Sequence, residues 1–166
     1  TTETSSEQTF ICYEMVIMDR DLSEAYFKAG RMILRGNYTV PETSPLWSKM
    51  GIATSSGNIQ LGIALLEKSI KNGVSEALTY YVESYLSDQD KEKKLAACDL
   101  AKGMPFAEHQ KGELLESQHK LLEAREAYKA AGELIGYPDA MRLSSLEEQK
   151  LLEERRKEYK QRLLDE

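Results

Sequence analysis

The chain has 166 residues, 41% of them apolar, a formal net charge of −6 and a sequence pI near 5.2. That length and apolar content suffice for a single core, so one domain, alone or with an appendage, is expected. The acidic balance argues against nucleic-acid binding, which needs clustered cations facing phosphate. No apolar run nears the roughly 20 residues of a membrane helix, so a soluble chain without membrane insertion is expected.

Apolar residues recur three and four apart with almost no strict alternation, which predicts helices throughout. Thr4 with Glu7 reads as a capping box opening a helix over about 4–18, with Phe10, Ile11, Met15 and Met18 as its apolar face. Asp21 with Glu24 opens a second, about 21–35, closed by Gly36. "GNYTVPETS" follows as a loop, and its "NYT", Asn37 to Thr39, fits the glycosylation acceptor pattern. Ser44 with Pro45 caps a short helix near 45–54. Five further amphipathic helices are expected over about 59–72, 74–87, 89–102, 105–117 and 119–134. Their short links predict antiparallel neighbours.

Cys12 and Cys98 each lie in an apolar pattern and read as two buried free thiols, because a disulfide scaffold would need more cysteines in a shorter chain. The chain begins with Thr1 rather than Met, so a processed or trimmed form is expected. The compartment stays open, with bacterial cytoplasm and periplasm equally compatible.

The strongest signal is a repeated step. Gly73 precedes Ala77 by four residues, Gly103 precedes Ala107, and Gly136 precedes Ala140; Asp21 stands in the glycine position before Ala25. Five residues beyond each alanine come Gly30, Val82, Gly112 and Ser145, and eight beyond come Ile33, Tyr85 and Leu115. At about 100° per residue these offsets fall on one helix stripe, so small residues admit a neighbouring helix and a larger one fills the space beyond. The glycine ends the preceding helix in the left-handed conformation. The alanines step by 30 and then 33 residues, within the range of helical-repeat solenoids.

On these residues the chain resembles tetratricopeptide-type repeats, above all the Sel-one-like subclass. "EAYFKAGRMILRGNYTVP", "EALTYYVESYL" and "AREAYKAAGELIGYPDA" carry the likeness, over about residues 21–143. Val82 and Ser145 depart from the internal glycine, and Lys111 stands where leucine is usual. The resemblance implies an all-α fold, a short right-handed solenoid of antiparallel helix hairpins over 1–143, with a charged helix over 144–166 as its cap. Ala25 and Ala77 lie twenty or so residues further apart than their siblings, which places an insertion at about 39–58 holding the single tryptophan. Trp47 reads either as an exposed partner anchor or, the favoured reading, as a residue packing the inserted turn onto the repeats.

From Ser145 to Glu166, 13 of 22 residues are charged, seven acidic and six basic. Ser145 with Glu148 supplies an opening cap. Glu153 with Lys157 and Glu158 with Arg162 are spaced to support helix. The leucines are too sparse for a long coiled coil, so a monomer is favoured, with dimerisation through this helix as the alternative.

Walker, nucleophile-elbow, Cys-x-x-Cys, calcium-loop and dinucleotide patterns are absent from the sequence, and no catalytic residue, cofactor or metal is expected. His109, Glu113, Glu116 and His119 offer one Glu-x-x-His step, whereas di-iron bundles need two with facing glutamates, so solvated polar residues are the preferred reading. The leading function is a non-enzymatic interaction module, adaptor or scaffold, that binds a peptide or protein partner in the groove of the superhelix. Positions three and six past each alanine point away from the buried stripe and nominate Lys28, Arg31, Tyr80, Glu83, Gln110 and Glu113. The alternatives are a bacterial immunity or inhibitor protein on the same repeats and, lower, a metal-dependent enzyme.

Overall fold

A computed structural model describes residues 4–135 and 138–165, with the side chains of residues 133–148 left aside. Among the described residues the secondary structure is helical, without strands, and no helix is long and apolar enough to cross a membrane. Contacts divide the chain into two compact units, Thr1–Ala101 and Lys102–Glu166.

The first unit opens with α1 (Ser5–Arg20), whose start is the anticipated capping box: the Thr4 hydroxyl accepts the Glu7 N–H, and the Glu7 carboxylate accepts the Thr4 N–H. Its buried side differs from the expectation. Phe10 and Ile17 are buried, with Tyr13 and Val16 packed beside them, while Met15 and Met18 are exposed. Cys12 is exposed, not buried; only Cys98 is a buried thiol. Positions 10, 13 and 17 form one stripe of the helix and 11, 15 and 18 another, and Cys12 lies opposite the first.

Helix α2 (Ser23–Leu34) follows after two residues. Asp21 does not cap it. It closes α1 with φ 55°, and its carboxylate accepts the Tyr26 hydroxyl, while Leu22 takes the N-cap position without a side-chain bond. The 39–58 segment then contributes α3 (Leu46–Met50) and a 3-10 turn (Thr54–Ser56). Gly51, with φ 67°, stops α3 short of the expected residue 54. This segment is anchored by core rather than draped outside it. Val40, Leu46 and Trp47 are buried in one cluster with Phe10, Tyr26, Ile33, Leu61 and Leu65. The Trp47 indole N–H donates to the Pro41 carbonyl at 2.9 Å, and Asn58 Oδ1 accepts the Val40 N–H at 2.7 Å.

Helix α4 (Asn58–Lys71) packs along α2 through a glycine pair. A Cβ on Gly30 would stand 2.9 Å from the Gly62 carbonyl oxygen, and one on Gly62 would stand 3.0 Å from the Ile33 and Leu34 side chains. Helix α5 (Ser75–Thr79) passes directly into a π-helical segment, Tyr80–Tyr85, whose end is marked by the Leu86 N–H donating to the Tyr81 carbonyl. Helix α6 (Lys91–Leu100) closes the unit.

The second unit holds α7 (Pro105–Ser117), α8 (Leu121–Ile135) and α9 (Pro138–Asp165), with α8 packed on both neighbours. Gly112 lies against Tyr128, where a Cβ would meet ring carbons at 2.8 Å. Glu108 is buried and accepts the Gly103 N–H, which ties the start of α7 to its preceding turn. The anticipated boundary at 143/144 falls inside α9, and the residues of α9 from 149 to 165 are exposed. The Gly136–Ala140 step and the Ser145–Glu148 cap lie outside the described side chains.

One frame recurs. Asp21, Gly73, Gly103 and His119 all have positive φ, and each stands two residues before the first residue of a helix. The alanine four places on is buried at positions 25, 77 and 107.

Candidate functional site

Burial of Ala25, Ala29, Gly30 and Ile33 fixes which side of α2 faces inward. Lys28, Arg31 and Arg35 then fall within about 60° of one another on another side of the helix. Each of the three cations rests over an aromatic ring. The Lys28 ammonium is 5.9 Å from the Tyr13 ring centre, the Arg31 guanidinium 4.7 Å from Phe27, and the Arg35 guanidinium 5.3 Å from Tyr80. Phe27 and Tyr80 are themselves tilted neighbours at 6.3 Å. Arg31, Phe27, Tyr80 and Arg35 thus form one continuous run from α2 to the π-helical segment. Such contacts contribute about 0.5–1 kcal/mol each where exposed, enough to bias long side chains toward one orientation.

Two hollows border this run. One, of about 210 Å³, lies between α1 and α2, with Ser5, Ser6 and Thr9 on one wall and Lys28, Arg31 and Arg35 on the other. The second, of about 360 Å³, lies at the first turns of α2 and α5, between Glu24, Phe27 and Lys28 and the Gly73–Glu76 stretch.

A larger cleft, of about 560 Å³, opens between α4, the π-helical segment and α6. Tyr81 and Tyr85 stack there at 5.9 Å and 17°, beside Glu67, Asp90 and Lys93. Burial pushes the Tyr81 phenol up from its ordinary range, and the nearby Glu67 carboxylate adds to the shift. The i→i+5 winding that sets these rings is a feature often found at functional positions.

Of the residues nominated from the sequence, Lys28, Arg31 and Tyr80 come together, and Glu83 is exposed on the same π-helical segment. Gln110 and Glu113 belong to α7 in the other unit; Gln110 is half-buried, and Glu113 pairs with His109 at 2.9 Å. Trp47 is 4% exposed and serves the core, so the partner-anchor reading of it gives way to packing. Arg35 and Phe27 were missed. Arg35 is one turn beyond Arg31, so continuing the stripe by four residues finds it; Phe27 reads as core in any periodic pattern.

The residues of the Glu-x-x-His step are dispersed to other tasks. Glu116 accepts the Tyr128 hydroxyl at 2.9 Å, and His119 occupies a turn with φ 60°. Among the described residues no three of His, Cys, Asp and Glu gather as a metal-holding group.

No family model matches the chain, and no curated protein or solved structure matches it.

Proposed function

We propose that the chain is a non-enzymatic protein–protein interaction module, an adaptor or scaffold, that binds a peptide or protein partner on the face carrying Lys28, Arg31, Arg35 and Tyr80. In this reading the helices form a short right-handed superhelix of tetratricopeptide-type, Sel-one-like hairpins, and the chain acts as a monomer. The observation that carries it is the aromatic-backed row of cations running from α2 to the π-helical segment. Arg and Tyr supply large contact areas and directional donors, and side chains already held by a ring lose less freedom when a partner docks. The recurring left-handed residue two places before a helix, and the glycine approach between α2 and α4, support the repeat reading.

The test is partner capture from a lysate of the source cells, comparing the intact protein with a variant carrying Arg31→Ala, Tyr80→Ala and Glu83→Lys. Loss of a specific, stoichiometric partner in the variant, with Trp47 fluorescence unchanged, is the expected result. Equal recovery by both proteins refutes the assignment of the face.

A further inference from the structure

The hollow between α1 and α2 has a composition at odds with the rest of the molecule. The chain carries a net charge of −6, yet the three ionisable side chains that line this hollow apart from Tyr13 are all cations, Lys28, Arg31 and Arg35, and no carboxylate lines it. Among the described residues none of the three takes part in an ion pair; their recorded partners are the rings of Tyr13, Phe27 and Tyr80. Bringing three like charges together costs free energy unless an anion offsets it. The opposite wall adds hydroxyls from Ser5 and Ser6, and the Thr9 hydroxyl already donates to the Ser5 carbonyl. Two arginines whose guanidinium groups rest over the neighbouring rings of Phe27 and Tyr80, a lysine ammonium and hydroxyl donors border about 210 Å³; within reach of one another, these groups are the chemistry that holds a compact, multiply charged oxyanion.

We propose that this hollow is an oxyanion site that takes a phosphoryl group. Arg31 and Arg35 bind its oxygens through N–H donors, Lys28 contributes a point charge, and Ser5 and Ser6 complete the donor set. A phosphoryl group carries about −1.5 to −2 charge with three acceptor oxygens, which matches three cations better than a single carboxylate does. The site lies on the face assigned above to partner binding and so rests on that reading for the phosphoryl group's source as part of a partner peptide; the anion chemistry stands on the hollow alone.

The test is a nuclear magnetic resonance titration of the intact chain with inorganic phosphate, chloride being used to hold ionic strength constant, and with a short phosphoserine peptide, the same peptide with aspartate in place of phosphoserine serving as the control. The expected result is saturable shifts confined to residues 5–13 and 28–37. Each of Lys28→Gln, Arg31→Gln and Arg35→Gln weakens binding by about tenfold or more, as loss of a charge-assisted bond does. The triple variant shows no saturation while keeping its Trp47 fluorescence. Tighter binding of the phosphoserine peptide than of phosphate assigns the group to a peptide, and equal binding assigns a free anion. No saturation with either probe, identical shifts in the triple variant, or equally tight binding of the unphosphorylated aspartate peptide overturns the proposal. Should neither phosphate nor the phosphoserine peptide bind while the capture variant still loses its partner, the oxyanion site falls and the interaction face stands; the reverse pattern separates them the other way.

Discussion

Replacing Gly30 with alanine places a methyl carbon 2.9 Å from the Gly62 carbonyl oxygen, 3.2 Å from the Leu66 nitrogen and 3.3 Å from Leu65 Cβ. Two of these three atoms are α4 backbone and cannot swing aside as a side-chain tip would. Relief requires α4 to move away from α2, which disturbs Leu61 and Leu65, both fully buried in the shared core. Two effects oppose each other. Alanine is favoured over glycine in a helix interior by about 0.8–1 kcal/mol, whereas overpacking a tight contact costs about 1–3 kcal/mol. Because the nearest atom is backbone, the upper half of the overpacking range applies, and a net loss of about 1–2 kcal/mol is expected. Trp47, the single tryptophan, lies in the same cluster, so its fluorescence during urea unfolding reports this unit directly. The expected signature is a lower midpoint with an unchanged slope. A midpoint equal to or above that of the parent protein refutes the view that Gly30 is there to let two backbones meet.

Gly112→Ala drives a Cβ to 2.8 Å from the Tyr128 ring; the ring must move, so the Tyr128–Glu116 bond weakens and the helical melt by circular dichroism falls, at a cost of about 1–2 kcal/mol. Trp47→Phe keeps an aromatic ring but leaves the Pro41 carbonyl without its indole donor, which costs about 1–2 kcal/mol, read from urea unfolding by circular dichroism; no loss would show that the bond is dispensable. The Tyr26 phenol is pushed far up, by burial first and then by its bond to Asp21. The folded chain therefore keeps this proton where the unfolded chain loses it, and stability falls as pH rises past the ordinary phenol range near 10. Ultraviolet absorbance should show Tyr26 ionising only with unfolding, and Tyr26→Phe should flatten the alkaline decline. Asp21 behaves in the opposite sense: its bond to Tyr26 is the largest cause of a lowered carboxyl pKa, opposed by burial and helped by Lys49, so its contribution is present above about pH 4 and is lost as pH falls through the lowered value. Asp21→Asn should remove that acid dependence from the Trp47 unfolding profile.

Local rules were legible where a single residue answers to its immediate neighbours. The Thr4–Glu7 box, the turns at Gly36, Gly73 and Gly103, and the burial of Ala25, Ala77 and Ala107 all follow from backbone geometry within one or two turns. The buried side of α1 was not legible in this way. Its sequence offers two apolar stripes, one through Phe10, Tyr13 and Ile17 and one through Ile11, Met15 and Met18, and periodicity cannot rank them. Cys12 went with the wrong stripe for the same reason. The π-helical winding at Tyr80–Tyr85 was equally hidden, because a run of apolar and aromatic residues satisfies more than one helical period.

Steric freedom and periodicity along the amino-acid chain were enough to establish that this protein is helical, where most of its helices end, and that Gly30 and Gly112 stand at close approaches, though not whether a backbone or a ring would meet them. Only the tertiary packing brings the 39–58 segment into the core through Val40, Leu46 and Trp47, and sets Lys28 over Tyr13 of α1 and Arg35 over Tyr80. Those outcomes depend on contacts between residues far apart in the chain, where many pairings satisfy the same local pattern and only the joint packing of all of them selects one.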